Sequence, residues 1–173
     1  MIVWLIGISG SGKTTLGEEL CRRFRSNGKH VVFLDGDVFR SVFHNNNSVE
    51  LYDDEYRRMV GRQLTKLCML LDRQGVDVIC CTISQFNDLR IDHRDSFSNY
   101  IEIHMDCSVE DAARRDIKKL YSAFNEGKIK NVVGCDLTYE KPTSPDLIIE
   151  TGKDQFDLND VASYVSKFIE NRL

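Results

Sequence analysis

An apolar run, Ile2-Val3-Trp4-Leu5-Ile6, stops in Gly7-Ile8-Ser9-Gly10-Ser11-Gly12-Lys13-Thr14-Thr15. Gly7 to Thr14 fits the spacing G-x-x-x-x-G-K-[ST] in full, and Leu16, Leu20 and Phe24 then fall on one helical face. Strand, glycine loop and helix together form an anion site. Glycines let the backbone curl so that successive N–H groups point inward, and the helix adds the positive end of its dipole. Gly7, Ser9, Gly10, Ser11, Gly12, Lys13, Thr14 and Thr15 are therefore the expected nucleotide-phosphate contacts. Lys13 reaches the β and γ phosphates, as ATP would present them, and the Thr14 hydroxyl ligates Mg2+.

The rest of the chain must supply the sheet this loop needs. Further strand-like runs occur at Val31–Leu34, Val76–Cys81, Ile101–Met105 and Leu147–Ile149, with helical stripes between them. Val60, Leu64, Leu67, Cys68 and Leu71 form one stripe, closed by Gly75. Leu158, Val161, Ala162, Val165, Phe168 and Ile169 form another. The alternation predicts an α/β protein: the P-loop NTPase three-layer fold, a five-stranded parallel sheet with helices on both faces. At 173 residues without an evident linker, one domain over 1–173 is expected. Two stretches resist the periodicity. His44 to Asp54 holds Asn45-Asn46-Asn47. Arg114 to Pro145 is charged and holds both prolines, and it reads as a lid.

Leu34-Asp35-Gly36-Asp37-Val38-Phe39-Arg40 ends the second strand, where α/β sheets present ligand-facing groups. One of Asp35 and Asp37 could hold Mg2+ together with Thr14. The other could orient an acceptor hydroxyl and take its proton. Arg40 could grip an anion on the acceptor. The same aspartates could also simply cap a turn. An N-K-x-D guanine motif is absent, and the Val76–Cys81 strand runs into Thr82-Ile83-Ser84 rather than an acidic end. Both features favour a small-molecule kinase over a GTPase or a motor ATPase.

With 23 Lys and Arg against 27 Asp and Glu, the net charge is -4. That disfavours a nucleic-acid or membrane-surface binder. No apolar run reaches membrane-span length, and no basic flank marks a leader, so a cytoplasmic protein is expected. Six cysteines, Cys21, Cys68, Cys80, Cys81, Cys107 and Cys135, show no C-x-x-C spacing and read as buried free thiols. The histidines His30, His44, His93 and His104 have no ligand spacing. The run Arg90-Ile91-Asp92-His93-Arg94-Asp95 reads as a solvated helix face.

Over nearly its whole length the chain resembles the adenylylsulfate kinases. The resemblance is carried by GISGSGKTT at Gly7–Thr15, LDGDVFR at Leu34–Arg40, TISQF at Thr82–Phe86 and RDIKKLYSAFNEGKIKNVVGCDLTYEKP at Arg115–Pro142. It implies phosphorylation of the 3'-hydroxyl of adenosine 5'-phosphosulfate with ATP and Mg2+, with 7–15 as phosphate loop, 35–60 as acceptor region and about 114–145 as lid. It further implies Asp37 as the acceptor-activating aspartate and Lys13 as its catalytic partner. Arg40, Ile83 and Ser84 would bind the acceptor nucleotide, and Lys118, Lys119 and Leu120 would lie on the lid. A small-molecule partner and a homodimer are expected.

The sequence departs from the family pattern on the acceptor side. Asp53 stands where an acceptor-binding arginine is expected, and Tyr56 stands where an asparagine is expected. Asn87 replaces another arginine, and Val132 replaces the lid phenylalanine that stacks on the adenine. Arg57 and Arg58 are candidate replacements for the lost cations. The partner aromatic has no clear match, and Tyr52 would serve only if the register slips. A smaller base suits such a pocket. Kinases resembling this family act on cytidine diphosphoramidate in capsular polysaccharide modification, and that is the second reading. A gluconate- or shikimate-type kinase would lack the Gly127–Pro142 match. A non-catalytic nucleotide-binding module is disfavoured by intact Lys13, Thr14, Asp35 and Asp37.

Overall fold

The computed structural model describes residues 1–43, 53–152 and 157–172. The expected loop from His44 to Asp54, with Tyr52, falls almost wholly outside them. Five strands form one sheet: β1 (Ile2–Ile6), β2 (Val31–Asp35), β3 (Asp77–Thr82), β4 (Tyr100–Asp106) and β5 (Leu147–Glu150). Their order is β2-β3-β1-β4-β5, and every pairing is parallel. β1 therefore sits at the centre, with Ile6 opposite both Thr82 and His104. The glycine loop emerges there, at the carboxyl edge where β2 and β3 also end.

Alternation along β1 divides the core in two. Val3 and Leu5 pack with Leu16, Leu20 and Phe24 of α1 (Lys13–Ser26) and with Val165 and Ile169 of α7 (Leu158–Glu170). Ile2, Trp4 and Ile6 face the other way, against Val60, Leu64 and Cys68 of α3 (Asp54–Asp72). α1 approaches the sheet closely because Gly17 has no side chain. A Cβ there would lie 2.6 Å from Cys81 Sγ and 2.7 Å from the Phe33 ring.

The remaining helices are α2 (Gly36–Phe43), α4 (Asn87–Ser96), α5 (Val109–Arg115) and α6 (Leu120–Asn125). α6 lies in the expected lid and α5 leads into it, so the lid is partly helical. Tyr121, Val132, Ile8 and Ala112 form a small core of their own that seats the lid on the phosphate loop. No helix of the described residues is long and apolar enough to cross a membrane.

Two sequence expectations hold only in part. The run Arg90–Asp95 is solvated on one side only: Ile91, Asp92 and Asp95 are exposed, whereas Arg90 and His93 are each only 3% exposed. Arg90 turns inward to donate to the carbonyls of Ser84 and Glu140, and His93 stacks on Trp4 at 4.1 Å. Nor are all the thiols buried. Cys21, Cys68, Cys80 and Cys81 are, whereas Cys107 is half-buried and Cys135 exposed; all six are free.

Candidate active site

Left-handed glycines shape the phosphate loop. Gly7, Gly10 and Gly12 have φ of 147°, 78° and 89°, and Gly12 caps α1. A Cβ at Gly7 would come within 2.6 Å of the Met105 carbonyl oxygen, so the loop needs glycine there twice over. Lys13 folds back across this loop. Its Nζ donates to the Ile8 carbonyl at 2.7 Å and to Ser11 Oγ at 3.3 Å. Burial pulls its pKa from 10.5 down to about 8. The ammonium is held dry and aimed into the loop, ready for phosphate oxygens to replace its internal partners.

Asp35 closes β2 beside it. Thr14 Oγ1 donates to Asp35 Oδ2 at 2.8 Å. Asp35 Oδ1 accepts the amides of Asp37 at 2.8 Å and Val38 at 3.3 Å. The residue caps α2, as one of the two readings had it, and it is also bonded to the hydroxyl expected to bind metal. Its neighbour Asp37 is half-exposed, and its carboxylate is bracketed by Arg40 from the same helix and by Lys118 from the lid. A cation 81 residues away in sequence thus meets the expected base.

A cleft of about 740 Å3 runs between these groups, lined by Gly10, Lys13, Thr14, Asp37, Arg40 and Lys118 among others. The lid is anchored above it. Tyr121 donates through its hydroxyl to the Ser9 carbonyl at 2.8 Å. Arg115 donates to the Gly10 carbonyl at 3.4 Å and to the Thr151 carbonyl. Arg115 also lines the cleft, and sequence reasoning assigned it no role. Its place at the head of the RDIKKLY stretch was the available signal. Lys119 and Leu120 do not line the cleft. Lys119 caps α6 with φ 54°, and Leu120 packs into the lid core.

Deeper in, a cavity of about 60 Å3 opens between α3, α4 and the loop after β3. Ile83, one of the expected acceptor residues, lines both spaces, and Ser84, the other, lines the inner cavity alone. Arg57 lines the cavity and reaches the lid, donating to the Asn131 carbonyl at 2.8 Å. Arg58 does not line it. It pairs with Asp88 at 2.6 Å, with its guanidinium 3.8 Å from the Phe86 ring.

The positions that depart from the family pattern have other uses. Asp53 caps α3, accepting the Tyr56 amide at 2.8 Å. Asn87 accepts from Arg90 through its side chain. Val132 is 2% exposed, packed in the lid core, and offers no surface to a base.

A parallel sheet with a phosphate-binding loop at its central strand, and an aspartate facing a cationic lid, define a P-loop phosphotransferase. Comparison with known proteins gives the family. The family model described as adenylylsulphate kinase matches residues 1–150. The cytidine diphosphoramidate kinase of Campylobacter jejuni serotype O:2 is 36% identical over 148 residues, covering 86% of this chain and 84% of that one. The adenylyl-sulfate kinase of Picosynechococcus is 33% identical over 156 residues, 90% and 86% of the two chains. The Mycobacterium tuberculosis APS kinase CysC, solved with AMPPNP and APS, superposes with a TM-score of 0.87 at 28% identity, covering 98% and 96%. The chain belongs to the adenylylsulphate kinase family, and it is an ATP-dependent nucleotide kinase.

Proposed function

We propose that the chain transfers the γ-phosphate of ATP to the ribose 3'-hydroxyl of a cytidine 5'-diphosphate-type nucleotide, of which cytidine diphosphoramidate is the nearest chemistry. The observation that carries this is Val132. The residue expected to stack on a purine is a buried aliphatic side chain in the lid core. Base stacking is worth roughly 1–3 kcal/mol, so a purine acceptor loses about one to two powers of ten in affinity from that face alone. Asp53 and Asn87, used for capping and for holding Arg90, leave no cation at the positions where the family grips a phosphosulfate. The Campylobacter relative, a cytidine diphosphoramidate kinase, supports the same reading.

Asp37 accepts the proton of the acceptor hydroxyl as its oxygen bonds to the γ-phosphorus and the bond to ADP breaks. Arg40 and Lys118 hold that carboxylate in place and set positive charge beside the place an anionic acceptor would take. Lys13 neutralises charge on the phosphates.

Mg2+ fits the site. Thr14 and Asp35 offer a hydroxyl and a carboxylate in contact. No cluster of three or more His, Cys, Asp or Glu among the described residues forms a cage, which suits an ion ligated largely by phosphates and water. When bound, the ion would neutralise charge on the transferring phosphate.

Adenosine 5'-phosphosulfate is the second reading, favoured by the lid sequence Gly127–Pro142 shared with the family. ADP release from ATP with each nucleotide, with a 3'-deoxycytidine acceptor as control, tests the proposal. Cytidine-dependent release that vanishes with the 3'-deoxy compound is expected. Release that persists with it would refute the assigned hydroxyl.

A further inference from the structure

The cavity behind the acceptor region has apolar walls, including Trp4, Val60, Leu64 and Leu89, yet Gln85 and His93, which also line it, each carry an unsatisfied polar atom. Gln85 and His93 are each 3% exposed. Among the described residues, Gln85 Oε1 and His93 Nδ1 are buried without a hydrogen-bond partner. An unpaired buried acceptor is costly, and such atoms in a ligand cavity call for a donor from outside the protein.

The chemistry of the Gln85 atom is fixed by its surroundings, and that of the His93 atom by the ring's tautomer. Gln85 Nε2 donates to Asp54 Oδ1 at 2.8 Å. A carboxylate offers only acceptors, so the amide cannot flip, and its oxygen stays on the other side. His93 Nε2 lies 2.8 Å from Thr65 Oγ1, whose own proton goes to the Gly61 carbonyl at 2.9 Å. With the hydroxyl proton given to that carbonyl, Nε2 carries the ring proton and Nδ1 keeps a bare lone pair. Burial pulls the His93 pKa down to about 4, so this neutral form holds at pH 7.

We infer that Gln85 and His93 read the exocyclic amino group of the acceptor's base. This rests on the cytidine reading above and extends it to a selection rule: the site takes an amino base and rejects its oxo counterpart. Cytosine presents an N4 amine, a donor with two hydrogens. Uracil presents an oxygen at that place, which would face two acceptors. Asp54 is the positioning residue that aims Gln85.

The test uses cytidine and uridine 5'-diphosphate as probes, with the donor site filled by AMPPNP, and reads the ratio of their dissociation constants. Losing one such bond is worth about 1–3 kcal/mol, so the wild type should favour cytidine by about fivefold or more. Gln85→Met keeps the length and removes the acceptor; His93→Phe keeps a ring against Trp4. Each should reduce the ratio below about threefold while AMPPNP binds normally. If Gln85→Met loses AMPPNP binding, Asp54→Asn reports instead, since it frees the amide to flip and must erode the same ratio.

Equal binding of both probes by the wild type overturns the inference and leaves the cytidine reading standing. A preference that survives in the variants also overturns it. If neither pyrimidine binds and adenosine phosphosulfate is the acceptor, the cytidine reading is what fails. The rule is then read on adenosine against inosine phosphosulfate: a preference lost in Gln85→Met upholds it, and a preference kept overturns it.

Discussion

Replacing Lys13 by methionine should abolish most activity without weakening the fold at neutral pH. The fall in its pKa from 10.5 to about 8 means that holding the ammonium in the dry loop costs about 3 kcal/mol, at roughly 1.4 kcal/mol per tenfold. Methionine removes that cost. It also strips the Ile8 carbonyl of its 2.7 Å donor, a loss of about 1–3 kcal/mol. The variant should therefore be as stable as wild type or up to about 2 kcal/mol more stable at pH 7.

The sign with pH follows from linkage. Below pH 8 the native lysine is protonated and the penalty is whole. Between about 8 and 10.5 the unfolded chain holds the proton more tightly, so wild-type stability rises with pH. The variant has no such contribution, so its advantage should shrink by about 2 kcal/mol between pH 7 and pH 10. Urea unfolding at both pH values measures this. Turnover should fall by about 10^2 to 10^3, the usual cost of losing one electrostatic donor. A variant less stable than wild type by the same amount at both pH values would refute the dry-ammonium argument.

Asp37→Asn should lower turnover by about 10^2 or more while leaving ATP affinity within a few fold, measured by initial rates and by nucleotide titration. Amides from Asp116 to Asp136 should gain hydrogen-exchange protection when ATP analogue and acceptor bind together, because Lys118, Arg115 and Tyr121 tie the lid to the site. Unchanged exchange would make it an ordinary surface segment. Gly17→Ala should cost about 1–3 kcal/mol in unfolding free energy, because the new methyl meets Cys81 and Phe33.

What could be read from the sequence was whatever local pattern dictates. The loop Gly7–Thr15 declares itself because phosphate binding needs those residues in consecutive order. The strands declare themselves by their apolar runs, and the observed ends differ by a residue or so, as with Asp77–Thr82 against Val76–Cys81. What stayed hidden depends on distant partners. Arg90 looks solvated in a charged run, yet carbonyls from Ser84 and from Glu140, 50 residues on, draw it inside. Lys118 meets Asp37 only because the lid crosses the sheet edge. Asp53, read as a lost arginine, is in use as a helix cap, and Gln85 gains meaning only once Asp54 fixes its amide.

The central claim is that this family fold carries an acceptor site rebuilt for cytidine. A single competition decides it: cytidine diphosphoramidate and adenosine 5'-phosphosulfate at equal concentration, with limiting ATP and Mg2+, followed by 31P NMR of the products. The product ratio is the ratio of the two kcat/KM values. 3'-Phosphorylated cytidine diphosphoramidate is expected to predominate by about fivefold or more, the equivalent of one lost stacking face. Predominance of 3'-phosphoadenosine phosphosulfate would contradict it.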